Sequence, residues 1–379
     1  MLLKVGIKKV LWLAAAAVLF STAFHGLGLT GFAPWHVVYT DVMGFFDQLK
    51  VPGFPYISKQ IEYPVLTGVF MQLMFYIGVG KAGYYFVSAL FLGALVLIST
   101  YLLWDMLPPE RRSRFWVYWV FAPSMLMFLV FNWDIIAIFF TIMAIYVHKK
   151  NHPFWAGVSV ALGFASKFFP VLFVIPLLVA TSGWRARLRA TLGFVFAAAA
   201  VNLPFAILNY EGWYYFFGFN SARTSNLDSV WSVIRWLVGD MPVPVMNGIS
   251  LAIFAIIFAL LMYWARRASF EKLCALATLA FLLANKVFSP QYTLWLLPFF
   301  LLVTPPGKLW FYALEFANLI TFFSVVRWFF IGNDLKYFYF AIPFILIRHA
   351  ALVIYSVNIL RTREVPAVSA MRQYAPRGF

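Results

Sequence analysis

Long apolar runs separated by short basic clusters make up nearly the whole chain. The runs fit a hydrocarbon core of ~30 Å, and they recur from end to end. The clusters are Lys4/Lys8/Lys9, Arg111/Arg112/Arg114, Lys149/Lys150, Arg185/Arg187/Arg189, Arg266/Arg267/Lys272, Lys308 and Arg361/Arg363. Basic residues in short loops mark the cytoplasmic side. Between successive clusters lies enough apolar sequence for an out-and-back pair of helices. The pattern predicts an all-α, polytopic transmembrane helical bundle of about twelve spans, with both termini cytoplasmic. The spans are 9–30, 82–104, 115–131, 134–148, 153–168, 170–182, 190–208, 246–264, 272–286, 291–304, 309–327 and 338–359.

Residues 64–80 are apolar but are not counted as a crossing, because counting them would put Arg111, Arg112 and Arg114 outside. They are expected to form a re-entrant or interfacial helix after the first outer loop, covered by protein where the backbone is irregular. The first span could be read as a secretory signal, but no small-x-small cleavage pattern precedes Asp41. A retained signal-anchor helix is the expectation. No polar run is long enough for a soluble domain. Residues 1–379 therefore read as one integral membrane domain, with outer loops at 31–63 and 209–245.

Composition agrees: 64% of residues are hydrophobic and 11% charged, where soluble domains are nearer a quarter charged. The net charge of +16 would suggest a nucleic-acid partner in a soluble protein. Here the basic residues concentrate on one side of a membrane, so the expected partner is the lipid bilayer and not nucleic acid. The single cysteine, Cys274, excludes an intramolecular disulfide and a multi-cysteine metal site. There is no Walker-type glycine loop, His-Glu-x-x-His, Cys-x-x-Cys or Gly-x-Ser-x-Gly pattern.

What polar chemistry exists gathers on the outer side, which receives eight of the 13 acidic residues. Asp41 lies just beyond the first span, in Tyr39-Thr40-Asp41-Val42; it could be a catalyst or a helix cap. Asp134, in Asn132-Trp133-Asp134, has the same two readings. Lys167 and Lys286 sit in short apolar hairpins. Each could simply snorkel to the interface, but on one face with Asp41 they suit an anionic lipid phosphate, with Arg223 as a third. Arg348 and Glu315 lie within the last two spans. An intramembrane charge needs a partner, so they either pair with each other, or Arg348 and His349 line a lipid-carrier tunnel. His349 could also bond a backbone carbonyl.

Five ordered patterns carry a family resemblance. They are Tyr39-Thr40-Asp41, Ile61-Glu62-Tyr63-Pro64, Asn132-Trp133-Asp134, Ala165-Ser166-Lys167-Phe168-Phe169-Pro170 and Lys286-Val287-Phe288-Ser289-Pro290-Gln291-Tyr292. In these the chain resembles the polyprenyl-phosphate-sugar-dependent glycosyltransferases of the C class, most closely glycosyltransferase family 87. The resemblance implies a helical bundle in the cell membrane with its active site on the extracytoplasmic face. It implies a polyprenyl-phosphate sugar donor, commonly of mannose, and a glycolipid or glycan acceptor. It also implies that an acid of the first outer loop is the general base, which here is Asp41. Glu62, Asn132, Asp134, Gln291 and Tyr292 are then the substrate-binding candidates. Asp41 lacks an acidic neighbour at plus one or plus two, a departure from the family's paired acids. No metal ligand is assigned for that reason, and a divalent metal is left open. The rival class is a transporter or lipid flippase, which would show related halves and polar residues at the midplane. Neither is visible here.

Overall fold

The computed structural model describes residues 6–303, 305 and 307–362, and within them the chain is all-helical apart from one isolated bridge, Pro55–Lys59. Lys4 and Arg363 of the basic clusters, and residue 304 of the tenth expected span, lie outside the described residues. The chain opens with α1 (Ile7–Gly26) and three short helices, α2 (Trp35–Val38), α3 (Asp41–Gly44) and α4 (Phe46–Lys50). Then come α5 (Val65–Ile77) and α6 (Gly80–Met106). A π-helical turn at Trp116–Val120 leads through Pro123 into α7 (Pro123–Phe128), followed by α8 (Asp134–Lys149) and α9 (Pro153–Ser166). A 3-10 turn at Phe169–Phe173 runs into α10 (Val174–Ala180), before α11 (Trp184–Leu208), α12 (Tyr210–Ala222), α13 (Val230–Val238) and α14 (Val243–Trp264). After α15 (Phe270–Ala284), a second 3-10 run, Pro290–Leu296, enters α16 (Leu297–Leu302); α17 (Lys308–Ile331) and α18 (Leu335–Arg361) complete the described chain.

Among the described residues, six helical segments are long and apolar enough to cross a membrane: Ile7–Leu29, Gly80–Met106, Trp184–Leu208, Val243–Trp264, Lys308–Ile331 and Leu335–Arg361. They coincide with six of the twelve expected spans. The other six expected spans are shorter or broken. The breaks fall at prolines, which supply no N–H to a preceding turn: Pro123 divides 115–131, and Pro290 and Pro298 lie in the 3-10 run and at the start of α16. The expected outer loop 209–245 is largely helical, formed by α12 and α13. Residues 65–77 do form a helix.

Burial explains how short helices persist in an apolar medium. Every residue from 270 to 280 and from 291 to 300 is buried, so their backbone is shielded by protein. The long helices α11 and α14 are the reverse. The buried residues of α11 are Ala190, Gly193 and Ala197, and those of α14 are Met246, Ser250, Leu261 and Met262. Leu251, Ile256, Ile207 and Trp264 stand exposed. Apolar side chains facing outward around a packed centre are what lipid, not water, tolerates.

Of the two readings of the intramembrane charges, the pairing is overturned: Arg348 and Glu315 each have other partners. The Glu315 carboxylate accepts from the Ser124 backbone N–H at 2.6 Å and from Ser124 Oγ at 3.0 Å. Ser124 follows Pro123 in the first turn of α7, where backbone N–H groups lack helical acceptors, so α17 caps α7. Arg348 instead donates to Asn318 Oδ1 at 2.9 Å and to the Asp228 carbonyl. His349 Nδ1 bonds the Ile345 carbonyl at 2.8 Å.

Helix α9 crosses α11 at close range. A Cβ on Gly157 would stand 1.9 Å from the Ala190 carbonyl oxygen, and one on Gly193 would stand 2.0 Å from that of Phe154. Backbone lies on both sides, so neither helix can give way locally. Gly157→Val should therefore destabilise the protein by about 1–3 kcal/mol or more, the usual cost of overpacking. Thermal unfolding in detergent would measure this, and an unchanged midpoint would show that the two helices do not cross this closely.

Candidate functional site

The first loop is pinned from several sides before it delivers any chemistry. Thr40 caps α3: its Oγ1 accepts from Val42 N–H at 3.2 Å and donates toward the carbonyls of Val130 and Phe131 at 3.0 and 2.8 Å. The Asp41 N–H donates to the Phe131 carbonyl at 2.9 Å. The cap is therefore Thr40, and the Asp41 side chain is left for another task. Buried Tyr56, in the left-handed region with φ 67, has its hydroxyl 2.8 Å from the carbonyls of both Tyr63 and Pro64. Gly68 makes room for it: a Cβ there would lie 2.0 Å from that hydroxyl. Lys59 Nζ ties the loop to α4 and α5 through the Leu49 carbonyl at 2.7 Å and Gln72 Oε1 at 3.0 Å. Together these contacts hold Glu62 and Tyr63 beside Asp41.

At the site itself, the Tyr63 hydroxyl donates to Asp41 Oδ2 at 3.3 Å, and the Tyr39 hydroxyl lies near enough to this carboxylate to lower its pKa. The Tyr63 ring meets Trp133 edge-on at 5.0 Å, and Phe45 meets Trp133 at 5.7 Å. Burial pushes the Asp41 carboxyl up to about 6. The Tyr39 hydroxyl and the Lys167 charge pull it down, while Glu62 and Asp134 push it up. Glu62 is likewise raised by burial, against the charges of Arg223 and Lys167.

Asp134 does not cap α8 with its carboxylate. Asn132 Oδ1 takes the Asp134 N–H at 2.9 Å. The carboxylate instead accepts from Trp295 Nε1 at 2.9 Å and faces Lys167 Nζ at 2.7 Å. That approach is off the direction of a hydrogen bond, so the contact is an ion pair. Lys167 extends from the end of α9 over the rings of Tyr63, at 5.0 Å, and Tyr292, at 5.6 Å. Burial pulls its ammonium down, but Asp134, Tyr292 and Asp41 outweigh that and leave it raised. Beneath it Tyr292, Trp295 and Phe169 stack with centroids 3.9 and 4.1 Å apart.

The third group gathers around the end of α12. Lys286 Nζ donates to the carbonyls of Ser221, at 3.1 Å, and Arg223. Two of its three N–H donors are thus taken. Burial and the nearby Arg223 lower its pKa. Arg223 Nη2 donates to Asn226 Oδ1 at 2.8 Å. Its charge acts on Glu62 and on Tyr292. All nine site residues expected from the sequence therefore fall into one connected region. Asn132 and Gln291 are buried within it, each with one side-chain atom lacking a protein partner among the described residues. Tyr39, Tyr63 and Trp295 were not singled out by the sequence reading. Tyr39 lies two residues before Asp41, Tyr63 reaches Asp41 from 22 residues away, and Trp295 lies three residues beyond Tyr292, one 3-10 turn away.

Among the described residues, no group of three or more His, Cys, Asp or Glu side chains is placed to hold a metal ion. The charge facing Asp134 is the Lys167 ammonium. A cleft of about 470 Å³ opens between the first loop and α12, lined by Gln48, Ser58, Gln60, Asn209 and Glu211 among others; Asp41 does not line it.

Breaking the buried pair tests the region's architecture. Lys167→Met leaves Asp134 buried and unpaired, which should cost about 3–5 kcal/mol. The double variant Lys167→Met/Asp134→Asn should unfold at a higher temperature than Lys167→Met alone, because no lone charge remains. Strictly additive losses would show that the two groups are not coupled.

No curated protein matches the chain. The family model for glycosyltransferase family 87 matches residues 62–290, more than half of its length. Asp41 lies outside that segment, while Glu62, Asn132, Asp134, Lys167, Arg223 and Lys286 lie inside it. Helices compatible with several membrane crossings, the clustered acids and bases and this match together make the chain a membrane protein that belongs to glycosyltransferase family 87.

Proposed function

We propose that the protein transfers a sugar, mannose by the resemblance, from a polyprenyl-phosphate donor to a lipid-linked or glycan acceptor, at the outer face of the cell membrane and with inversion. The observation that carries this is a carboxylate with a raised pKa, Asp41, held in reach of two tyrosine hydroxyls and close to a buried ammonium. The acceptor hydroxyl oxygen attacks the anomeric carbon as its proton passes to Asp41. The bond from that carbon to the phosphate oxygen breaks, and polyprenyl phosphate leaves with the electron pair. A general base works best with a pKa near the operating pH, and burial moves Asp41 in that direction.

The phosphodiester donor is already activated, so no nucleotide enters. Lys167 stabilises the charge that develops on the leaving phosphate, and Arg223 binds the charge already present there. Lys286 supports this from behind, through the carbonyls of Ser221 and Arg223. The free atoms Asn132 Nδ2 and Gln291 Oε1 are offered to sugar hydroxyls, since a buried polar atom without a partner is costly until one arrives. Glu62 and Tyr292 line the same place, between Arg223 and Lys167.

Two outcomes are expected from Asp41. Asp41→Asn should lower transfer from labelled polyprenyl-phosphate mannose to a lipid-glycan acceptor by about a thousandfold or more, while the protein still folds and binds donor. The folded-state pKa is raised, so the ionised carboxylate costs stability; the cost sets in above the unfolded value of ~3.9 and is complete above about 6. The Asn variant should therefore melt no lower than the parent at neutral pH. Turnover of that variant near the parent's level would remove Asp41 from the mechanism.

Activity should also fall as pH drops through about 6, because only the ionised carboxylate accepts the proton. The measurement is kcat/KM against pH. A profile that stays level to about pH 5 would contradict a base of this pKa.

A further inference from the structure

The last two helices lie beyond the segment matched by the family, yet one side chain from them reaches the support of the donor side. Arg348, in the middle of α18, is fully buried. Nη1 donates to Asn318 Oδ1 of α17 at 2.9 Å, and Nη2 donates to the Asp228 carbonyl. The guanidinium carbon stands 3.8 Å from the ring centroid of Phe288. Asn318 Nδ2 in turn donates to the Pro290 carbonyl at 2.8 Å and lies 3.2 Å from Thr293 Oγ1. One guanidinium therefore connects α18, α17, the turn that carries Gln291 and Tyr292, and the segment 223–229.

A buried guanidinium is costly, and an apolar side chain would serve packing alone. The segment it grips explains the cost. Residues 223–226 have no regular structure of their own and are held from outside. Lys286 holds the carbonyls of Ser221 and Arg223; Ser289 Oγ accepts from Asn226 Nδ2 at 3.3 Å; Arg235 Nη1 donates to Thr224 Oγ1 at 2.7 Å. Asn226, so anchored, accepts the Arg223 guanidinium on its Oδ1. Arg348 fixes the far end of the same segment.

We propose that Arg348 is a positioning residue: by holding the Asp228 carbonyl it sets the segment 223–229, and with it the Arg223 guanidinium, so that α17 and α18 form part of the donor site. This rests on the reading of Arg223 as a ligand of the donor phosphate. The phosphodiester is charged before any bond breaks, so a contact to it is largely uniform binding and shows in KM.

The test uses the full chain in lipid nanodiscs, with polyprenyl-phosphate mannose as donor and a lipid-linked glycan as acceptor. Arg348→Gln should raise donor KM by about tenfold, leave acceptor KM unchanged and keep kcat within about threefold. Arg348→Lys should recover most of the loss, because an ammonium can still donate to the Asp228 carbonyl. Arg223→Ala/Arg348→Gln should be no worse than Arg223→Ala alone. Hydrogen exchange should rise across 223–229 in Arg348→Gln and stay unchanged across 134–149, whatever the donor. Unchanged exchange at 223–229, or equal loss in the Lys and Gln variants, overturns the proposal. If the parent does not use this donor, the functional reading fails, and exchange alone decides the positioning role. Should Arg348→Gln not fold, Asn226→Ala replaces it: it frees Arg223 from its anchor and should raise donor KM in the same way, and an unaltered donor KM there counts against the proposal.

Discussion

The ion pair between Asp134 and Lys167 is the contact on which the rest of this site depends. It joins the start of α8 to the end of α9 and lies against Trp295 of the 3-10 run and Tyr63 of the first loop. Two opposite charges can stay in an apolar bundle only if each satisfies the other. Four stretches of chain are therefore brought to one point by the need to neutralise one carboxylate. Asp41 is held alongside through backbone bonds to Phe131, three residues before Asp134.

The same constraint organises the other buried polar groups. Glu315 finds the open N–H groups of α7, and Arg348 finds Asn318 and the Asp228 carbonyl. Glu315 is answered by the first turn of α7, and Arg348 by a side chain of α17 and a loop carbonyl. The break at Pro123 frees the backbone N–H that Glu315 takes, and the break at Pro290 frees a carbonyl that Asn318, the partner of Arg348, takes. Short helices and buried charges support each other: irregular backbone is tolerated where protein covers it, and charged side chains do part of the covering.

Function follows from this arrangement. Membership of glycosyltransferase family 87 makes the protein a glycosyltransferase, and burial raises the pKa of two carboxylates close to its clustered cations, Asp41 and Glu62. A carboxylate held in an ion pair stays ionised and is a poor proton acceptor. Asp134 is paired with Lys167, whereas the Asp41 carboxylate accepts from the Tyr63 hydroxyl and feels the Lys167 charge without a direct ion pair among the described residues.

Composition and periodicity alone determined the membrane class, the all-helical build and the six long helices, because an ~30 Å apolar run is a local property. The candidate acids and bases could be picked out as well, since few polar residues interrupt this chain and each stands out against its neighbours. Tertiary structure decided the partners. Thr40 rather than Asp41 caps α3; Arg348 passes over Glu315 to reach Asn318; and the expected loop 209–245 folds into two helices. Tyr63 and Trp295 joined the site only when distant segments met. Hydrogen bonds and ion pairs form between groups that are near in space, and spacing along the chain does not say which those are.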